Sequence, residues 1–155
     1  MTDTADALLE ALALDAGALL VDHLPALEAG SASPLPQPLE GVTVATKLHK
    51  GMAPLDPGAP ALVLHRQVRA LQPWPGTELA LDGTTLKVCG VGGLRPDPAG
   101  AGTLRWSREG AWLTAGDGMA LELTLLQRPG KPVQPAAQAL QPWGATGTAL
   151  IPRRA

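Results

Sequence analysis

The pattern of apolar and polar positions divides the chain into three unlike stretches. Over residues 4–29, Leu9, Leu12, Ala16, Leu19, Leu20, Leu24 and Leu27 recur largely at steps of three and four. That spacing lines them along one stripe and predicts a long amphipathic helix. Thr2, Asp3, Thr4 and Asp6 supply an N-cap candidate and first-turn acids, both favoured at the positive end of a helix. Pro25 is expected to kink this helix or detach its last turn, and Gly30 to stop it.

Residues 31–60 lose the periodicity. S-A-S-P-L-P-Q-P-L-E and A-P-L-D-P-G-A-P are rich in Pro, Gly and Ser, a composition that makes a stiff, extended linker. V-T-V-A-T-K-L-H-K between them is a candidate short strand. Pro60 then suits the first position of a second helix. At 100° per residue, Ala61, Leu64, Val68 and Leu71 fall on one side of it and Leu62, His65, Arg66 and Arg69 on the other. One side buries and the other carries bases. Pro73 ends the helix, because its ring clashes with the turn before it. Trp74, held between Pro73 and Pro75, is expected to pack as a wedge.

Beyond residue 77 the period becomes two. T-E-L-A-L-D-G-T-T-L-K-V alternates on both sides of Asp82-Gly83, a strong short hairpin signal. Further turns are expected at Glu109-Gly110 and Asp117-Gly118, and a loop at Leu94–Gly102. Met119, Leu121, Leu123 and Leu125 are expected to share one face of a strand, with a short last helix over Pro135–Leu140. C-G-V-G-G (89–93) lacks the third glycine of a dinucleotide fingerprint, since Arg95 stands there, and reads as a strand end with tight backbone packing. Short antiparallel strands with a helix suggest a small barrel, which removes exposed sheet edges.

Charge and composition sharpen this outline. Residues 1–40 hold seven acids and no Lys or Arg, whereas the rest of the chain holds all twelve bases and seven acids. Such segregation suggests that the two parts meet different partners, or that an acidic helix solvates its outer face. No apolar run is long enough to span a membrane, and the acidic start lacks the basic region of a signal peptide. A single cysteine, Cys89, fits a reducing cytoplasm. His23, His49, His65 and Cys89 share no metal-ligand spacing, so no metal site is expected.

Several segments, taken in order, resemble the C-terminal region of methionyl-tRNA formyltransferase. L-P-A-L-E-A-G (24–30) looks like the end of the last helix of that family's catalytic domain. K-L-H-K (47–50) and L-D (55–56) sit where the family's linker reads similarly. H-R-Q-V-R-A-L-Q-P-W-P-G (65–76), L-D-G-T-T-L-K-V (81–88), T-A-G-D-G (114–118) and L-Q-R-P-G-K (126–131) follow at the expected spacing. There are departures. Gly51-Met52 replaces an acidic pair, Pro57 stands where the family has tryptophan, and Gln134 and Ala139 replace a methionine and an aromatic.

The resemblance implies a mainly β fold with helices. A small OB-like antiparallel β-barrel at 60–155 would follow a helical appendage at 1–30, left from the catalytic domain, and a Pro/Gly-rich linker at 31–59. It implies a part that holds initiator tRNA while the complete enzyme transfers a formyl group from 10-formyltetrahydrofolate to the aminoacyl amine. The family's catalytic Asn–His–Asp trio has no counterpart, since the chain contains no asparagine. No catalytic residue and no cofactor site are therefore assigned, the chain alone is expected to be inactive, and the folate would bind a catalytic domain elsewhere. The expected tRNA-binding residues are Lys47, Lys50, His65, Arg66, Arg69, Lys87 and Lys131, with Arg105 and Arg108 as extensions of the same basic face.

With Trp106 and Trp112 the only strand aromatics, contact with the phosphate backbone is expected rather than base stacking. The helix Leu8 to Leu27 is expected to dock on a catalytic formyltransferase domain or on a second copy of itself, because exposed leucines are costly. The alternatives are the C-terminal domain of a sugar-nucleotide formyltransferase, or a non-catalytic interaction module.

Overall fold

The first helix, α1, covers Ala5–Glu28 without interruption at Pro25, so the expected break does not occur. Gly30 does stop it: its φ is 65°, and the N–H of Ser31 reaches back to the carbonyl of Ala26 at 2.9 Å. That five-residue reach is how a left-handed residue closes a helix end. The computed structural model describes residues 3–152. It divides into two compact units: Asp6–Leu48 by itself, and the described residues from His49 onward together with those before Asp6.

Within the first unit α1 buries none of its side chains, and Leu9 and Leu14 are each 72% exposed. Residues 42–49 form no strand, contrary to the sequence expectation. Val42 and Val44 lie exposed, and a lone extended segment has no ladder to stabilise it.

The second unit is built on an antiparallel sheet. Its strands are β1 (Thr77–Leu81), β2 (Thr84–Pro96), β3 (Thr103–Ser107), β4 (Gly110–Thr114), β5 (Met119–Gln127), β6 (Val133–Pro135) and β7 (Gly147–Leu150). Their order is β1-β2-β5-β4-β3-β7, with β6 added onto β5. The result is a half-barrel sheet consistent with the OB-like fold. Helix α2 (Ala61–Ala70) packs on β2 and β5, and the one-turn α3 (Ala136–Ala139) packs on β4 and β5. Their shared core is mostly leucine: Leu64, Leu81, Leu86, Leu104, Leu113, Leu121, Leu123, Leu126 and Leu140 are fully buried. Each contributes roughly 1.5–3 kcal/mol of burial free energy, so leucines substitute for absent Phe and Tyr.

The β1–β2 hairpin turns at Asp82 (φ 47°) and Gly83 (φ 76°), the left-handed pair that such a turn requires. Other local expectations shift. C-G-V-G-G lies in the middle of the 13-residue β2, not at its end, and β2 extends to Pro96, so the following loop covers only 97–102. Its tight packing is real: a Cβ on Gly90 or Gly92 would collide with Thr124 or Glu122 of β5. The β2–β5 register slips between Val88 and Gly90, Gly90 and Val91, and Val91 and Leu94. These bulges bend the sheet and reverse the facing of β5. Leu126 is therefore buried and Leu125 exposed, so the four-residue face expected from Met119 to Leu125 is broken. The outer edge of β1 is covered by residues 53–55, where Leu55 N–H donates to the Glu78 carbonyl and Glu78 N–H to that of Ala53, both at 2.9 Å.

Candidate nucleic-acid interface

Helix α2 carries the central basic residues. Pro60 is its N-cap rather than its first residue, and the first N–H, on Ala61, is received by the carboxylate of Asp117 at 3.2 Å. An anion there satisfies an orphan donor and complements the helix dipole. Ala61, Leu64, Val68 and Leu71 are buried as expected, which turns His65, Arg66 and Arg69 to the opposite side. Arg66 is exposed. Arg69 is half-buried, and its Nη1 donates to the Asp3 carbonyl at 3.1 Å. Burial, with the nearby charges of Arg69 and Arg66, pushes the His65 imidazole below its ordinary value of 6.5. His65 is thus neutral at pH 7, a donor or acceptor rather than a third cation. Gln67 Nε2 donates to the carbonyls of Met52 (2.9 Å) and Pro54 (3.2 Å), fixing the short 3₁₀ helix Lys50–Met52, and with it Lys50, against α2.

Of the other expected residues, Lys87 and Lys131 stand apart from this group. Lys47 is exposed in the other unit. Lys87 lies on β2 between Leu86 and Val88, which share one core with Leu64 and Val68 of α2. By strand alternation its side chain leaves on the opposite face of the sheet. There it sits in register between Glu78 of β1 and Gln127 of β5. Lys131 belongs to the turn after β5 on the same side; Gln127 Nε2 donates to its carbonyl at 2.9 Å. The structure therefore forms two basic groups, one around α2 and one on the outer sheet face.

Arg105 does not extend either group, because it is paired with Asp97. Asp97 is buried and also accepts from Thr114 Oγ1 (3.1 Å) and Ala99 N–H (2.9 Å). Burial alone would raise its carboxyl. The Ala99 N–H, the Arg105 guanidinium and the Thr114 hydroxyl outweigh that effect and hold it below the usual 3.8. The strand aromatics offer little for stacking. Trp106 is buried and donates from Nε1 to the Gly144 carbonyl at 3.0 Å, while one face of Trp112 is covered by the Arg95 guanidinium, 3.8 Å from the ring centre. Trp74 is 53% exposed rather than packed: the turn closed by Gly76 N–H on the Leu71 carbonyl holds it at the surface. Trp143 packs against the core as a cover. Burial pushes the Cys89 thiol up, although Lys87 opposes this, so it is no thiolate nucleophile.

The described residues from His49 onward thus form a half-barrel sheet with basic residues around α2 and on its outer face. Residues 47–142 match the family described as formyl transferase, C-terminal domain, and the chain belongs to that family. Its relatives include methionyl-tRNA formyltransferases of Burkholderia thailandensis (41% identical over 141 residues) and Burkholderia ambifaria (42% over 141). In each pairing 89% of this chain is covered but only 43% of the relative, so the chain corresponds to a C-terminal part of such enzymes. Among solved structures, HypX from Aquifex aeolicus in complex with tetrahydrofolic acid aligns with a TM-score of 0.55 at 17% identity. That alignment covers 87% of this chain and 26% of HypX. A multiply substituted HypX variant gives 0.57 at 18%, covering 80% and 22%. At such identity the likeness is one of fold.

Proposed function

We propose that this chain is the tRNA-binding, C-terminal part of a methionyl-tRNA formyltransferase, acting in translation initiation in the cytoplasm. It holds initiator methionyl-tRNA while residues outside the chain bind 10-formyltetrahydrofolate and move the formyl group to the amine. The observation that carries this reading is the basic face of α2. Its apolar side is fully committed to the core, yet Arg66 is exposed and Lys50 is fixed beside the helix, within a chain similar along 89% of its length to enzymes of that name. Arginine and lysine meet phosphate oxygens through charge and hydrogen bonds, so Lys47, Lys50, His65, Arg66, Arg69, Lys87 and Lys131 contact the polynucleotide backbone rather than its bases. Helix α1, through Leu8 to Leu27, meets the catalytic domain or a second copy.

A gel-shift assay with initiator tRNA tests the reading. The 155-residue chain retards the tRNA at low salt, and the Arg66→Ala, Lys50→Ala double variant retards it weakly. Absence of any shift at low salt leaves an interaction module with some other partner. Formyl transfer by this chain alone would contradict the division of labour.

A further inference from the structure

The outer sheet face holds a cleft of about 290 Å³, distinct from α2, whose walls include Glu78, Thr85, Lys87, Gln127, Arg128 and Gly130. Its floor is a cross-strand row. Glu78, Lys87 and Gln127 are successive partners on β1, β2 and β5. Directly opposed side chains of this kind stand roughly 5 Å apart at Cβ, so their polar ends converge. Its rim is the turn at Pro129-Gly130, pinned from two sides. Gln127 Nε2 holds the Lys131 carbonyl at 2.9 Å, and Arg128 Nη2 reaches Gln134 Oε1 at 3.4 Å.

The cations here are under-used. Among the described residues Lys87 has no carboxylate partner, even though Glu78 is its cross-strand neighbour. Among the described residues the Arg128 guanidinium makes one long hydrogen bond, to Gln134 at 3.4 Å, out of the five N–H donors it carries. A hydroxyl from Thr85 completes a set of donors around one hollow.

We infer that this cleft is a phosphate-binding site, in which Lys87 and Arg128 neutralise one phosphate and Thr85 donates to it. Glu78 on the same wall opposes the anion and keeps the affinity moderate. The inference rests on the tRNA reading only for the source of the phosphate, a phosphodiester of the RNA backbone rather than a free phosphate.

The test is a two-dimensional NMR titration of the full chain at constant ionic strength, with inorganic phosphate in one arm and dimethyl phosphate in the other. Saturable shifts confined to residues around 78, 85–88 and 127–131 are expected in both. Lys87→Gln and Arg128→Gln each weaken binding about tenfold, the effect of losing one charge-assisted hydrogen bond, and Glu78→Gln strengthens it. Because Lys87 is exposed, its variant keeps the fold and decides the matter should the Arg128 variant unfold. Binding of inorganic phosphate but not of the diester supports the site and assigns it to a free phosphate. Unsaturating shifts spread over the surface, or affinity unchanged in Lys87→Gln, overturn the site. A site found in a chain that fails to retard tRNA removes the tRNA reading and leaves this inference standing.

Discussion

Asp97 is a buried carboxylate whose charge is held by Arg105, Thr114 and the Ala99 N–H. Its folded-state acidity is stronger than that of an unfolded aspartate, so the folded chain takes up this proton less readily. Its contribution is therefore complete above the ordinary value of 3.8 and is lost as pH falls through the lower folded value. The melting temperature of the chain should be level near neutrality and drop below about pH 4. Asp97→Ala should cost about 1–3 kcal/mol at pH 7, read by denaturant unfolding, because the Thr114 hydroxyl is left buried without its acceptor. Cys89, half-buried with its thiol pushed up, should react slowly with iodoacetamide at pH 7 and quickly once the chain is unfolded. Neither behaviour is legible in the sequence. Asp97 stands eight residues from Arg105 and seventeen from Thr114, and only the fold brings the three together.

Elements follow local rules where the burying partner is continuous. The two sides of α2 and the Asp82-Gly83 hairpin could be read directly, since a period of 3.6 or a left-handed turn pair needs no knowledge of the rest of the chain. The phase of β5 could not. It is reversed by bulges against β2, whose glycines accept close approach by Thr124 and Glu122, and no pattern within β5 records that. Nor could the cap of α2, supplied by Asp117 from a turn 56 residues later. Asp117→Ala should destabilise the fold by about 0.5–2 kcal/mol and fray the first turn of α2 first, seen as faster amide exchange at residues 61–64. The same substitution should weaken RNA binding less than Arg66→Ala does, because it loosens the basic helix without removing a charge.

At the scale of the molecule, the chain spans 43% of the length of its methionyl-tRNA formyltransferase relatives. The role proposed for it is recognition of RNA. The family was readable from the sequence because collinear motifs such as H-R-Q-V-R-A-L-Q-P-W-P-G carry it. The arrangement of the basic residues was not, since strand alternation sends Lys87 to the face opposite the α2 core. Backbone recognition by a few lysines and arginines has a thermodynamic mark: each neutralised phosphate releases counterions, so affinity falls with a fixed power of salt. The most direct measurement is the affinity of the chain for initiator tRNA across a salt series, for the natural sequence and for Arg66→Ala. With about six phosphates engaged, one for each of Lys47, Lys50, Arg66, Arg69, Lys87 and Lys131, affinity should fall about 1000-fold between about 50 and about 200 mM salt, and Arg66→Ala should lower the log–log slope by about one. A slope near zero, or one that Arg66→Ala leaves unchanged, would contradict the account.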